Sequence, residues 1–258
     1  MKNRKEFLEN NLKLPLKTLI FEETDSTNEL CKELSRSYQE DLLVIALCQR
    51  AGKGRLSRSF FSPCDSGIYM SFLLHPQLCA EDCVKITTAA AVAAATTIDS
   101  ISGEHTLIKW VNDIYLKNKK ICGILTEAGF SGNATNLDYA VLGIGVNLYP
   151  PKNGFPDDIK EKAGSVFSSP FKSLDKTVEF ITKFTDNFLN IYNRLPDNSY
   201  MEEYRNRSML YGKEVSFIKD GKEFFGTAKQ INDNAELVLE TKSGNITLMA
   251  GEVSLKTK

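Results

Sequence analysis

Apolar residues along this chain cluster in runs of strand length and in helical stripes. DLLVIALC, Asp41 to Cys48, is rich in Leu, Val and Ile and predicts a buried strand. SGIYMSFLLHP predicts the next strand, ended by Pro76. From about Ala80 to Thr97 the small side chains of TTAAAVAAATTI predict a helix able to pack closely on a sheet. LIKWVNDIYLKNKKICGILTEAG reads as strands around a turn at Asn118, where lysines interrupt the apolar pattern. YAVLGIGVNL, Tyr139 to Leu148, is another buried strand. Upstream, DSTNELCKEL predicts a helix from Ser26 to about Ser35, with Ser26 as N-cap and Glu29 completing a capping box. Downstream, Val178, Ile181, Phe184, Phe188, Ile191 and Leu195 recur at three and four and give one helix an apolar face that stops at Pro196. Between these last two segments YPPKNGFPDD and GSVFSSPF hold four of the eight prolines and predict a surface excursion.

From about Met209 the texture changes. VSFIKDGKEFFG is two short strands around Asp220-Gly221, and AELVLET and NITLMAGEVSL add more. About fifty residues of small strands predict a little barrel. The division expected is therefore a main domain over 1–208 and a small one over 209–258. This tail carries seven basic and seven acidic side chains, a balance that argues against nucleic-acid binding.

Composition narrows the class. The 258 residues hold 32 Lys and Arg against 33 Asp and Glu, so no bulk charge points to a general nucleic-acid binder. The N-terminus MKNRKEFLEN lacks the apolar run of a signal peptide. The alanine-rich stretch is too short and too polar for a membrane span. No membrane association and a cytoplasmic location are expected. Six cysteines, Cys31, Cys48, Cys64, Cys79, Cys83 and Cys122, form no CxxC pair, and only His75 and His105 could join them. They are expected to be reduced thiols and not zinc ligands.

Candidate chemistry concentrates after the first strand. QRAGKGRLSR, Gln49 to Arg58, holds four basic residues and two glycines and no acid. Arginine forks and flexible backbone amides suit phosphate, although a solvated basic loop has the same composition. GxxxxGK[ST] and GxGxxG are both absent. KWVND places Lys109, Asn112 and Asp113 at a probable strand end. Asp113 is open to two readings, a surface turn or a ligand for an amide or metal ion. Lys119 and Lys120 enter an apolar strand, and alternation points one of them at a pocket. Asn147 ends a buried strand, where an amide needs a partner. Cations and amides with little general-base machinery suit nucleotidyl transfer, in which positioning and charge neutralisation dominate.

These fragments together resemble the biotin–protein ligases, also called biotin–acetyl-CoA-carboxylase ligases. The family's GRGRxGR loop corresponds to GKGRLSR, Gly52 to Arg58. KWPND corresponds to KWVND, Lys109 to Asp113, and K(L/I)xGIL(V/I)E to KICGILTE, Lys120 to Glu127. GxGxN matches Gly143 to Asn147, STN matches Ser26 to Asn28, and the tail ends in GEVSL. The resemblance runs from about residue 18 to the end.

It implies an α+β fold: a class II aminoacyl-tRNA synthetase-like catalytic domain with a mixed sheet, followed by a small SH3-like β-barrel. It implies ATP, biotin and Mg²⁺, a biotinyl-5′-AMP intermediate, and transfer to a lysine of a biotin carboxyl carrier domain of acetyl-CoA carboxylase or a related carboxylase. A homodimer is possible. Carried over by position, Lys120 would hold the biotin carboxylate and α-phosphate. Arg55 would retain the adenylate and Arg58 would touch phosphate. Lys109, Asn112 and Asp113 would serve the nucleotide side, with Asp113 as candidate metal ligand. Ser26, Thr27 and Gln49 would bind the ureido ring, with Asn28 beside them, Ser26 in competition with its capping role. Gly52 to Arg58, Lys53 and Gly54 included, would form the loop closing over biotin and the adenylate, Phe60 would lie beside adenine, Asn147 would serve the nucleotide, and Gly123 would complete the site. Lys53, Ser57 and Val111 depart from the family's arginine, glycine and proline, and a positive φ at Ser57 would strain the loop. The twenty or so residues before the first motif are too few for the family's DNA-binding winged helix. The alternative within the superfamily is a lipoate–protein ligase or octanoyltransferase, against which GKGRLSR and KWVND speak.

Overall fold

Two sheets organise the chain in a computed structural model that describes residues 4–130, 137–171, 173–219, 222–249, 251 and 253–255. The apolar runs form strands β1 (Lys17–Phe21), β2 (Leu42–Ala46), β3 (Gly67–Leu74), β4 (Leu107–Lys109), β5 (Asp113–Leu116), β6 (Lys119–Gly129) and β7 (Tyr139–Asn147). Their order is β1-β2-β3-β7-β6-β5-β4. β1 and β2 run parallel and the other neighbours antiparallel, which is the mixed sheet expected. Helices are α1 (Arg4–Asn11), α2 (Thr27–Leu34), α3 (Cys83–Ser102), α4 (Asp175–Tyr192) and α5 (Met201–Asn206).

Alternation within β2 divides the core. Leu43 and Ile45 join the large cluster with α3 and α4, while Leu42 and Val44 pack with Leu73, Val141 and Cys31 beneath α2. The alanines of α3 bring it close to the sheet, and all are buried. α4 stacks Phe180, Phe184 and Phe188 in succession, and Phe72 of β3 meets Phe188 at 5.3 Å. With the turn before it, α3 is long and apolar enough to cross a membrane, contrary to the sequence expectation. Most of that stretch is buried inside the fold, so its apolarity belongs to the core.

The looser region after β7 is tied down. Lys120 N–H donates to Lys162 O at 2.7 Å and Gly164 N–H to Lys120 O at 2.9 Å, so residues 162–164 run beside the start of β6.

Strands β8 (Glu214–Lys219), β9 (Lys222–Ile231), β10 (Leu237–Thr241), β11 (Gly244–Leu248) and β12 (Val253–Leu255) form the second sheet, antiparallel in the order β11-β10-β9-β8-β12. The expected barrel is not formed. Closure requires the edge strands to pair with each other, and among the described residues β11 bonds only to β10 and β12 only to β8. The Asp220-Gly221 turn lies outside the described residues. The apolar cluster nevertheless runs without a break from the first sheet into Val215, Phe217, Leu237 and Leu239. Trp110 donates its indole N–H to Ala235 O at 2.8 Å, and Arg205 donates to Ile231 O. Arg207, buried, bonds Asp99 and Glu203, each at 2.7 Å, where the chain leaves the first unit.

The cysteines also differ from expectation. Cys48 and Cys64 form a disulfide, while Cys31, Cys79, Cys83 and Cys122 are free. Sequence spacing gave no sign of the pair. β2 and the segment entering β3 are neighbours, and that brings the two thiols together. Burial raises the free thiols Cys31, to about 12, and Cys83.

Candidate active site

On the α2 side of the sheet, glycines leave space. Gly143 of β7 lies opposite Ser71 of β3, and Gly145 lies opposite Gly123 of β6. A Cβ on Gly143 would strike the Asn28 amide, and a Cβ on Gly145 would strike the ring of Phe60. This floor opens into a cleft with about 910 Å³ of empty space, solvent at its mouth included.

The basic segment covers the cleft as a small antiparallel hairpin. Gly54 N–H donates to Arg58 O and Phe60 N–H to Gly52 O, both at 2.8 Å. Cys48 and Cys64 join its two ends. At the tip Leu56 has φ 54° and Ser57 φ 60°. The departure at Ser57 therefore sits in the left-handed region, where a non-glycine residue costs about 1–2 kcal/mol.

Each cation of this lid has a specific address. Lys53 Nζ meets Glu29 at 2.7 Å, and Lys32 reaches the same carboxylate at 2.8 Å. Hydrogen bonds from Lys32 and then Lys53 lower the Glu29 pKa below its ordinary value. Arg55 donates to Asn112 Oδ1 at 3.0 Å and to Gly251 O at 2.9 Å, so one guanidinium ties the lid to both units. Asn112 is oriented for this by donating its own amide to Ile124 O at 2.7 Å. Arg58 and Lys109 also line the cleft. On the sheet, Lys120 Nζ stands 2.7 Å from Asp113 Oδ1. The contact is not aligned as a hydrogen bond, so this buried oxygen is held by charge alone. Lys119 points the other way, to the carbonyls of Lys160 and Glu161, as strand alternation predicts.

The inner end of the cleft is polar. Ser26 is buried and precedes α2 in extended backbone, but makes no side-chain capping bond. The capping-box reading is thereby corrected: Glu29 is engaged by lysines, and Ser26 faces the cleft. Gln49 Oε1 accepts the Thr27 backbone N–H at 2.8 Å, and Gln49 Nε2 donates to Ser62 Oγ at 3.0 Å.

The structure thus gathers Ser26, Thr27, Asn28, Gln49, Lys53, Gly54, Arg55, Arg58, Phe60, Lys109, Asn112, Asp113, Lys120 and Gly123 around one cleft. Two residues lie elsewhere. Gly52 sits at the lid's base, on its far face. Asn147 lies beyond the cleft lining and donates its amide to Gly164 O at 3.0 Å, holding the 162–164 segment. Sequence reasoning missed Glu29 as the lid's partner, and it missed Ser71. A serine in the otherwise strongly apolar run GIYMSFLL was the available signal, since a buried polar group requires a partner.

A model of the biotin/lipoate A/B protein ligase family matches residues 20–147, and one of the biotin protein ligase C terminal domain matches residues 210–256. The bifunctional ligase/repressor BirA of Bacillus subtilis (strain 168) is 29% identical over 96% of this chain and 78% of its own length. The biotin--[acetyl-CoA-carboxylase] ligase of Paracoccus denitrificans is 28% identical over 89% of this chain and 97% of its own. A biotin protein ligase from Aquifex aeolicus, solved in complex with biotin and ATP, shares the fold with a TM-score of 0.76 at 21% identity, covering 94% of this chain and 99% of that one.

Proposed function

Since the chain belongs to the biotin/lipoate A/B protein ligase family, as a biotin protein ligase, we propose how its residues carry out ATP-dependent biotinylation. In the first step a biotin carboxylate oxygen attacks the α-phosphorus of ATP. The bond to the pyrophosphate leaving group breaks, and biotinyl-5′-AMP forms. In the second step the amine of a carrier-domain lysine attacks the acyl carbon and AMP leaves. The observation that supports this reading best is the convergence on one cleft of a polar inner end, the Lys120–Asp113 pair and a lid carrying Arg55 and Arg58.

Biotin's ureido ring belongs at the inner end, near Ser26, Thr27 and Gln49. Its carboxylate then extends along the glycine floor toward Lys120, which stabilises negative charge shared between carboxylate and α-phosphate. Phe60, standing over Gly123 and Gly145, offers a ring face to adenine. Lys109, Asn112 and Arg58 are placed on the nucleotide side. Arg55 keeps the lid down, so that the labile mixed anhydride is kept from water until the carrier docks. Among the described residues no cluster of three or more His, Cys, Asp or Glu could cage a metal ion. Among the described residues Asp113 is the one carboxylate lining the cleft. That donor set fits Mg²⁺ held mainly by the triphosphate, with Asp113 as its protein ligand. When bound, the ion neutralises phosphate charge and eases pyrophosphate departure.

The acceptor is a biotin carboxyl carrier domain of acetyl-CoA carboxylase or a related carboxylase, and the reaction is placed in the cytoplasm. Sedimentation with and without biotin and ATP tests whether two copies of the chain associate. The deciding experiment is ATP- and biotin-dependent labelling of a purified carrier domain with lipoate as competitor. Labelling that lipoate does not suppress supports biotin; preferential transfer of lipoate would favour the superfamily's other branch.

A further inference from the structure

Behind the inner end of the cleft a row of polar groups runs from the half-buried Lys32–Glu127 pair to the buried Asn28, Ser71 and Thr27. Glu127 of β6 is paired with Lys32 at 2.6 Å, and its second oxygen lies 2.8 Å from Asn28 Nδ2. Burial opposes the Lys32 charge, but hydrogen bonds to Glu127 and Glu29 outweigh it and raise that pKa. A carboxylate accepts only, so the nitrogen of the Asn28 amide must face Glu127. Its other proton reaches Leu125 O at 3.4 Å. The amide oxygen is thereby turned to Ser71 Oγ, 2.6 Å away, and it too can only accept. Ser71, wholly buried, has one proton and must give it to Asn28. Thr27 Oγ1 stands 2.7 Å from Ser71 Oγ and 3.1 Å from Gln49 Oε1; with the Ser71 proton given to Asn28 and Gln49 Oε1 able only to accept, the single Thr27 proton goes to one of these two protein oxygens. The Thr27 lone pairs are left for the cleft. Gln49, with Oε1 on the Thr27 N–H and one Nε2 proton on Ser62, keeps a second Nε2 proton.

We propose that Glu127, Asn28 and Ser71 form a positioning relay that holds Thr27 as an acceptor, so that the inner end selects a cyclic urea over a carboxylic acid with an apolar head. This rests on the placement of biotin given above, and it gives Asn28 a role. Both protons of that amide are engaged by protein and its oxygen accepts from Ser71, so it orients Thr27 and presents no donor to the ligand. A urea N–H finds an acceptor at Thr27 and the urea carbonyl a donor at Gln49. A dithiolane or alkyl head would leave both unpaired, the situation in which buried polar sites discriminate strongly.

The test measures ATP–pyrophosphate exchange by the 258-residue protein against biotin and against lipoate. Ser71→Ala and Glu127→Leu should each raise the biotin KM about ten-fold, the worth of one hydrogen bond. Their kcat should stay within about two-fold, and exchange with lipoate should not fall. Glu127→Gln, which keeps an acceptor for Asn28, should restore most of the loss. Unchanged biotin KM in Ser71→Ala and Glu127→Leu, or Glu127→Gln behaving like Glu127→Leu, would overturn the relay. So would parallel losses in kcat and thermal midpoint. Absence of any biotin-dependent exchange in the unsubstituted protein would instead overturn the placement of biotin itself.

Discussion

At the scale of single residues the cleft depends on charges that have few substitutes. Lys120 faces Asp113 and, in the proposed reading, the path of the reacting carboxylate, so Lys120→Ala would remove the cation that meets developing charge and leave Asp113 without its partner. The expected loss in ATP–pyrophosphate exchange is about 10²–10³-fold; near-normal exchange would refute the role. Ser57 offers a test of strain. At φ 60° its backbone suits glycine, so Ser57→Gly should slow adenylate release by up to about five-fold, and Ser57→Val should hasten it, because a β-branched residue tolerates this region worst. Release followed by loss of protein-bound biotinyl-AMP decides the matter, and equal rates in both variants would show that the tip does not control retention. Residues that line the cleft were legible where their charge is singular: Lys120 and Asp113 border apolar strands, and Arg55 lies in a segment with four cations and no acid. Ser71 and Glu29 were not. A serine in a strand and a glutamate three residues after a serine have common structural roles, and only the neighbouring elements show that Ser71 meets Asn28 and Glu29 meets Lys53.

At the scale of elements, the lid is held at three kinds of point: a disulfide between its ends, the Lys53–Glu29 pair on its α2 side, and Arg55 between Asn112 and Gly251. The last two can be separated. Arg55→Gly removes both arginine bonds, and free biotinyl-AMP and non-specific lysine labelling should rise by ten-fold or more. No rise in either would show that the arginine is not the clasp. The Lys53–Glu29 pair is half-exposed, and such pairs contribute about 0.2–1 kcal/mol, so Glu29→Gln should speed release only about two- to five-fold and the effect should shrink in high salt. Its pH dependence has a definite sign. The lysines lower the folded-state Glu29 pKa, so the pair's contribution is complete above the ordinary carboxyl value of 4.5 and is lost as pH falls through the lowered one. Retention should thus show an acid limb only below that value, and Glu29→Gln should abolish it. Strand positions were readable from apolar runs, since a buried strand must be apolar whatever its partner. Closure of the second sheet was not, because a strand's sequence records its burial and not whether its far edge meets another strand.

At the scale of the whole molecule, the question is whether the two units unfold separately. The change in texture at Met209 suggests a boundary, yet the apolar cluster crosses it. Arg55 and Trp110 of the first unit bond to carbonyls of the second. Trp110 is the single tryptophan and is buried at that junction, so its emission reports separation directly. A shared core makes the units one cooperative system. In urea, the red shift of Trp110 emission should coincide with the loss of helical dichroism, which comes mostly from α3 and α4 in the first unit. A red shift at lower urea than the helical transition would show that the second unit peels away first, and the continuous core would then be a contact without cooperative weight. Biotin and ATP bound beneath the lid stabilise only the assembled form, so saturating both should move the two midpoints upward together, by about 2.7 kcal/mol at a hundred-fold excess over the dissociation constant. The Arg55→Gly variant, which has lost the clasp to Gly251, should show a smaller shift in the Trp110 transition than in the unsubstituted protein. The comparison asks of the molecule in solution whether ligand retention and the union of the two units depend on the same guanidinium.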